Sequence, residues 1–354
     1  MFVASRPGPL RNYAATPPSR HPAPGEVTVI LCTRDRPDLL ANALAALTIA
    51  VGKTGADILV VDSGSRLAST ADVARAAGVR YLRSDVPGLS IARNAGLAHT
   101  DREIVVYTDD DCAVDPGFLE QLLRPFADPA VGAATGALHD GSAGAPSPTA
   151  RAEERLSRTT AGLDAGHGAL MAFRRTALLG AGAFDPILGA GRHFGGAEDM
   201  DAFCRILSAG HLIVRVPSAV VNHLFTRDDD DYLRLNENYG LGIGALCAKW
   251  LRQSPREGRA LAALIARRGL SRYARRFGHR RTRRGQGVYL RAVLRGWREA
   301  RAIPLAGAVF ADIRPPEPVT VVVPSQPPPP ATVTTGTASA TARPARSPAD
   351  GVRR

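Results

Sequence analysis

Three consecutive carboxylates, Asp109, Asp110 and Asp111, close the run EIVVYTDDD at residues 103–111. Carboxylates this close repel one another unless a cation sits among them, and an all-oxygen donor set suits a hard divalent ion such as Mn2+ or Mg2+. A solvated acidic loop after a strand accounts for the same residues equally well. A second acidic pair, Glu198 and Asp199, stands in the first turn of AEDMDAFCRILSAG, directly after the Gly-rich stretch at residues 182–196. Acids at a helix N-terminus interact favourably with the helix dipole whether or not they react. Further polar residues fall at element ends: Thr33 and Arg34 after one β-rich run, Asp62 in DSGS after another, and His223 in VVNH. Arg93 and Asn94 lie within SIARNAG.

The elements that must position these residues follow from the apolar pattern. VTVILCT, from Val27, alternates little, as expected of a strand buried on both faces. Pro37 then suits a first helical turn, and the Leu and Ala spacing after it is helical. DILVV at 57–61 is a second strand, so strand, helix and strand form a βαβ unit in a parallel sheet. The alternation continues with a helix over 70–77, a strand over 79–82, a helix over 89–98 and the strand leading to Asp109. It goes on with GFLEQLLRPF as a helix, a strand over 131–138, and GHGALMAFRRTAL as a strand entering a helix. HLIVRVP and then SAVVNHLF read as strands, and the chain is helical from Tyr232 onward. Residues 141–148, rich in Gly, Ser, Ala and Pro, form a loop.

The chain has 354 residues, 45% apolar and 22% charged, which is the composition of a soluble globular protein. Its four cysteines are far apart, without a CxxC pair, and imply neither a zinc site nor a disulfide framework. No signal-peptide core and no bilayer-length apolar run occurs, so a cytoplasmic location is expected. The net charge of +12 is local: residues 249–301 hold 17 Lys and Arg against 2 acids, leaving −3 for the remainder.

Taken in order, VTVILCTRDRPDLL, ILVVDSGS, GLSIARNAGLAHTDREIVVYTDDD, GALMAFRR and FGGAEDMDAFCRILSAGHLIVRVPSAVVNH resemble the family 2 glycosyltransferases of GT-A fold over residues 26–225. The resemblance implies an α/β fold: a Rossmann-like, mostly parallel sheet flanked by helices. It also implies an inverting transfer of sugar from a nucleotide-sugar donor to an acceptor hydroxyl, with Mn2+ or Mg2+ on the diphosphate. On that reading Asp109 and Asp111 are the DxD motif and bind metal, Asp109 and Asp110 also face the nucleotide, and His223 joins the metal. Thr33, Arg34, Asp62, Arg93 and Asn94 line the nucleotide; for Asp62 this is favoured over capping its own turn, whereas Arg93 equally suits pairing with the aspartates. Glu198 and Asp199 are the ED motif, with Asp199 as general base. His167 and His193 are candidates for donor or acceptor contact, and the loop at 189–196 for closure over the donor.

The expected organisation is a disordered arm at 1–24, a GT-A domain at 25–235, a basic helical segment at 236–313 and a disordered tail at 314–354. The acceptor implied is a glycan or a lipid-linked species. The basic helices, with Leu, Val and Trp on one face beside Arg, suit an anionic membrane surface at the inner face of the plasma membrane. A helical subdomain docked on the catalytic part fits them as well. Two alternatives stand beside this reading: a nucleotidyltransferase-like enzyme, disfavoured because no Gly-rich basic loop follows the first strand, and a non-catalytic module binding membrane or nucleic acid. Nucleic acid is not expected as a partner, since no recognisable binding motif is present.

Overall fold

An unbroken apolar run makes β1 (Val27–Thr33) buried along its whole length, and the sheet is built outward from it. A computed structural model describes residues 22–52, 54–140, 152–223, 229–275, 280–312 and 320–322. β1 pairs in parallel with β2 (Asp57–Ser63) on one side and β4 (Ile104–Asp109) on the other, and β2 pairs in parallel with β3 (Arg80–Ser84). Beyond β4 the sheet becomes mixed. β8 (Leu170–Arg174) runs antiparallel to β4 and to β6 (Val131–Asp140), which pairs in parallel with β9 (Leu212–His223). Short strands β5 (Cys112–Val114) and β7 (Glu154–Leu156) run antiparallel to β9.

The crossovers carry the helices. α1 (Pro37–Val51), α2 (Ser69–Ala76) and α4 (Phe118–Leu123) bury Leu40, Leu44, Ala74 and Phe118 on one face. α3 (Leu89–Ala98) and α6 (Glu198–Ser208) bury Ala92, Leu97, Phe203 and Ile206 on the other. The short α5 (Arg175–Gly180) follows β8.

Three long helices follow: α7 (Asp229–Gln253), α8 (Pro255–Arg275) and α9 (Arg280–Ala300). They are not an appendage. Ile243, Leu246 and Trp250 of α7 share a core with Cys204 of α6, while Leu241 and Ala245 pack with Leu188 and Phe194. Glycines permit the close approach of α7 to α9: a Cβ on Gly244 would lie 2.2 Å from the Val293 carbonyl oxygen. The apolar stripe of α9 is thereby largely internal, with Val293 and Trp297 packed on the α7 core, whereas Leu270 and Leu294 remain exposed. A ribbon of β10 (Leu305–Ala306) and β11 (Val309–Phe310) places Phe310 against α7.

Several expectations need correction. The two expected strands HLIVRVP and SAVVNHLF are continuous over Leu212–His223, because a register shift between Thr135 and Ala137 of β6 accommodates Pro217 within β9. In the expected tail, β12 (Thr320–Val322) adds antiparallel to β3. Apart from these corrections, the loop at 189–196 is tied to its surroundings where Leu89 N–H donates to Ala190 O at 2.9 Å and Arg192 pairs with Asp312 at 2.9 Å. Residues 1–21, the loop at 141–148 and residues 323–354 lie outside the described residues. No described helix is long and apolar enough to cross a membrane, and all four cysteines are free and buried.

Candidate active site

The parallel register sets Asp109 at the end of β4 opposite Cys32, which brings the turn after β1 beside the three aspartates. Thr33 Oγ1 donates to Asp110 Oδ2 at 2.7 Å. Arg36 Nη1 donates to Asp110 Oδ1 and to Asp111 Oδ2, each at 3.2 Å. Burial pushes the Asp110 carboxyl up to about 6, against the opposing pull of Thr33 and Arg36. On the far side, β5 and β9 pair with Cys112 opposite His223, so His223 Nε2 comes 3.6 Å from Asp111 Oδ2.

The second acidic pair meets the first through Arg93. Its side chain is only 2% exposed and reaches between the two elements, with Nη1 donating to Glu198 Oε1 at 3.0 Å and Nη2 3.5 Å from Asp109 Oδ1. Nη2 also donates to Gly168 O at 3.3 Å, and the guanidinium lies over the Phe184 ring at 5.4 Å. Burial opposes charge on Arg93, but Glu198 and Asp109 outweigh it and hold the group above its ordinary range. A Cβ on Gly168 would sit 2.8 Å from Arg93 Nη2 and 3.6 Å from Asp199 Oδ2, so the glycine makes room for both groups. Residues 89 positions apart in the chain, Asp109 and Glu198, thus share one cation.

Burial raises the carboxyls of Glu198 and Asp199 above the ordinary range, with Arg93 pulling the other way. A partly buried carboxylate with raised affinity for a proton is what a general base requires. Ala197, which precedes the pair, has a left-handed backbone with φ of 68°. Such a conformation in a non-glycine residue persists only where surrounding structure over-determines it, and here Gly196 lies against Tyr239 and Gly242 of α7.

Among the described residues no three His, Cys, Asp or Glu side chains gather as a metal cluster. Asp111 and His223 face each other, but Asp109 turns to Arg93, which departs from the expected ligand trio. Mg2+-like ions commonly take only one or two protein ligands and complete their shell with phosphate and water. The two facing donors fit such a site.

The profile of the family "Glycosyl transferase family 2" matches residues 28–180. Over residues 28–180 the chain is similar to the family 2 glycosyltransferases. Pre-mycofactocin glycosyltransferases of Mycobacterium tuberculosis, from strains CDC 1551 / Oshkosh and ATCC 25618 / H37Rv, are each 27% identical over 251 residues. The match covers 66% of this chain, and the chain spans about half (50%) the length of these curated relatives. The mannosyltransferase PcManGT from Pyrobaculum calidifontis, solved in complex with GDP-Man and Mn2+, superposes with a TM-score of 0.54 at 20% identity. That superposition covers 79% of this chain and 90% of that one. The likeness establishes the GT-A fold of the glycosyltransferase domain.

The remaining expected site residues are placed unequally. Asp62 is fully buried, accepting from Ser65 N–H at 2.7 Å through Oδ1 and from Tyr81 at 2.6 Å and Arg83 at 3.3 Å through Oδ2. Its turn-capping role is therefore visible, and both oxygens are already engaged. Asn94 points away from the acids: its amide donates to Phe184 O at 2.7 Å and accepts from Phe184 N–H at 2.9 Å. Arg34 lies 3.9 Å from Asp35, and His193 pairs with Glu299 at 2.6 Å on the surface. His167 is exposed at the turn before β8.

Two features of the candidate site and its surroundings were not anticipated. Arg36, in the motif CTRDRPD, lies between the β1 end and Pro37, a place from which a long cation reaches the acids. The other is a buried cluster behind α6, where Lys249 Nζ donates to Asp185 Oδ2 at 2.6 Å and to Asp201 Oδ2 at 2.7 Å. Arg205, Trp250 and the Phe310 N–H complete it. No local signal in the sequence connects residues 185, 201 and 249.

Proposed function

We propose that the chain transfers a sugar, with inversion, from a nucleotide-sugar donor to a hydroxyl of a glycan or lipid-linked acceptor. The observation that carries this reading is the Arg93 bridge, which joins the DxD and ED acids at the carboxyl end of the parallel strands, where such sheets bind ligands. Asp199 is the general base: it takes the proton of the attacking hydroxyl while oxygen forms the new bond to the anomeric carbon and the nucleoside diphosphate leaves with the old bonding pair. Arg93 holds Glu198 and Asp109 in place and limits how far the proton affinity of Asp199 rises. Asp111 and His223 would hold Mn2+ or Mg2+, with Asp109 at the edge of that site. When bound, the ion neutralises charge developing on the departing diphosphate. A GDP-linked donor is supported by the fold neighbour, which was solved with GDP-Man and Mn2+.

Calorimetric titration with UDP, GDP and dTDP, each with Mn2+ and with EDTA, tests the reading alongside Asp111→Ala. One nucleotide should bind in a metal-dependent manner and lose that binding in the variant. A folded protein that binds none of them would turn the reading toward a non-catalytic module. The exposed Leu270 and Leu294 among the arginines of α8 and α9 support peripheral contact with an anionic membrane. Sedimentation with phosphatidylglycerol vesicles at low and high salt tests this, and absence of salt-sensitive binding argues for purely internal packing of the helices.

A further inference from the structure

The two guanidinium groups at the acids are held very differently. Arg93 is 2% exposed, stacks on Phe184 and has partners on both terminal nitrogens. Arg36 is 41% exposed and makes both of its contacts through Nη1 alone. At 3.2 Å each, these contacts are longer than the 2.7–2.9 Å typical of a charge-assisted hydrogen bond. Among the described residues Nε and Nη2 have no further partner. One nitrogen shared by two carboxylates, on a half-exposed side chain, is a counter-ion that a stronger cation can displace. The carboxylate oxygen it holds, Asp111 Oδ2, is the one that faces His223 at 3.6 Å. A guanidinium there and a divalent ion on the same oxygen exclude each other by charge as well as by space.

We propose that Arg36 is an exchangeable counter-ion that makes metal binding depend on the nucleotide. Without ligand it neutralises Asp110 and Asp111. When a nucleoside diphosphate arrives, the guanidinium moves to the diphosphate, for which its planar fork is well matched, and releases Asp111 to the divalent ion. The charge balance favours this exchange, because the incoming anion offers Arg36 a new partner at the moment the cation takes its old one. The backbone supports a side chain that moves while its root stays fixed. Asp35, at φ of 54°, is anchored to the next loop by Arg66 N–H at 2.6 Å and by its own N–H to Ser65 Oγ at 2.8 Å. The inference rests on the metal-dependent transferase reading given above.

The test measures Mn2+ affinity directly, from the electron paramagnetic resonance signal of free Mn2+, for the full chain and for Arg36→Met and Arg36→Gln, with and without GDP or UDP. Wild type should bind Mn2+ weakly alone and at least tenfold more tightly with the matching nucleotide. Both variants should bind Mn2+ alone several-fold more tightly than wild type and lose most of the nucleotide-induced gain. Circular dichroism melts establish that each variant is folded. Mn2+ affinity without nucleotide that is unchanged or weaker in both folded variants overturns the exchange while leaving the transferase reading intact. Failure of wild type to bind Mn2+ under any condition, with either nucleotide, overturns both.

Discussion

Asp199 and Asp201 stand two residues apart on α6, yet face two buried charge clusters of opposite character. Asp201 looks toward Lys249, Arg205 and Trp250 in a cluster where Lys249, Asp185 and Asp201 are wholly inaccessible and share short contacts. Burial raises its proton affinity, but Lys249 and Arg205 outweigh burial and hold its carboxyl below the ordinary range. Asp199 looks toward Arg93, where one cation serves Asp109 and Glu198 as well, and its carboxyl is raised. The cluster with cations enough for its acids is a fastening; the one with an excess of acid is a place where a proton can be accepted. Burial is common to both, so charge count rather than burial separates the proposed reactive cluster from the structural one.

The sharpest way to break this contrast is to neutralise each aspartate in turn. Asp199→Asn should lower kcat roughly 10²–10⁴-fold, the range for loss of a general base, with little change in melting temperature. Assays at saturating donor, paired with thermal unfolding, check both. Lys249→Met should do the reverse, because it strands Asp185 without its cation and leaves Asp201 only Arg205; unfolding in urea should show a loss of about 3–5 kcal/mol.

Arg93→Lys tests whether one cation orders the reactive cluster. Its point charge cannot span Glu198 and Asp109 together, so kcat/KM should fall on the order of 10²-fold, as for small misplacements at a reacting centre. The acid limb of its pH profile should also change. In wild type, activity is lost as pH falls through the raised proton affinity of Asp199. With less help from residue 93 that affinity rises further, so the limb should shift to higher pH.

Gly242→Ala is a smaller perturbation that reaches the same helix from behind. Its Cβ would lie 2.2 Å from Gly196 O, and overpacking of this kind costs about 1–3 kcal/mol, readable as a lower melting temperature. The smallest effect should come from Glu299→Gln, which removes the exposed pair with His193. Surface pairs contribute about 0–1 kcal/mol, so a larger loss in urea unfolding would show that this strap on the loop matters more than its exposure suggests.

Local signals account for what the sequence made legible. Asp109 could be placed at a strand end because Ile104 to Thr108 are apolar or β-branched, and Glu198 and Asp199 at a helix start because α6 has a clean apolar face. The ordered set of motifs then named the fold. What stayed hidden depends on residues brought together from afar. Nothing around Asp62 announces that Tyr81 of the next strand will occupy its second oxygen, and nothing around Asn94 announces the Phe184 backbone. Lys249 looked like one more member of a basic run, although its charge is buried against two aspartates. The apolar stripe of α9 could equally have faced a membrane or a neighbouring helix, and periodicity alone does not distinguish the two.

The Phe310 N–H that donates to Asp185 Oδ2 at 3.0 Å bears on where this chain can be cut. The family profile ends at residue 180, before Asp199, before Asp185 and before the lysine that neutralises it. A fragment ending there, or at the close of β9, would leave polar groups meant for the interior facing solvent or unmatched in the core. The segment that folds, and that inheritance must pass on intact if the chemistry is to survive, therefore extends past the recognisable domain to at least residue 310.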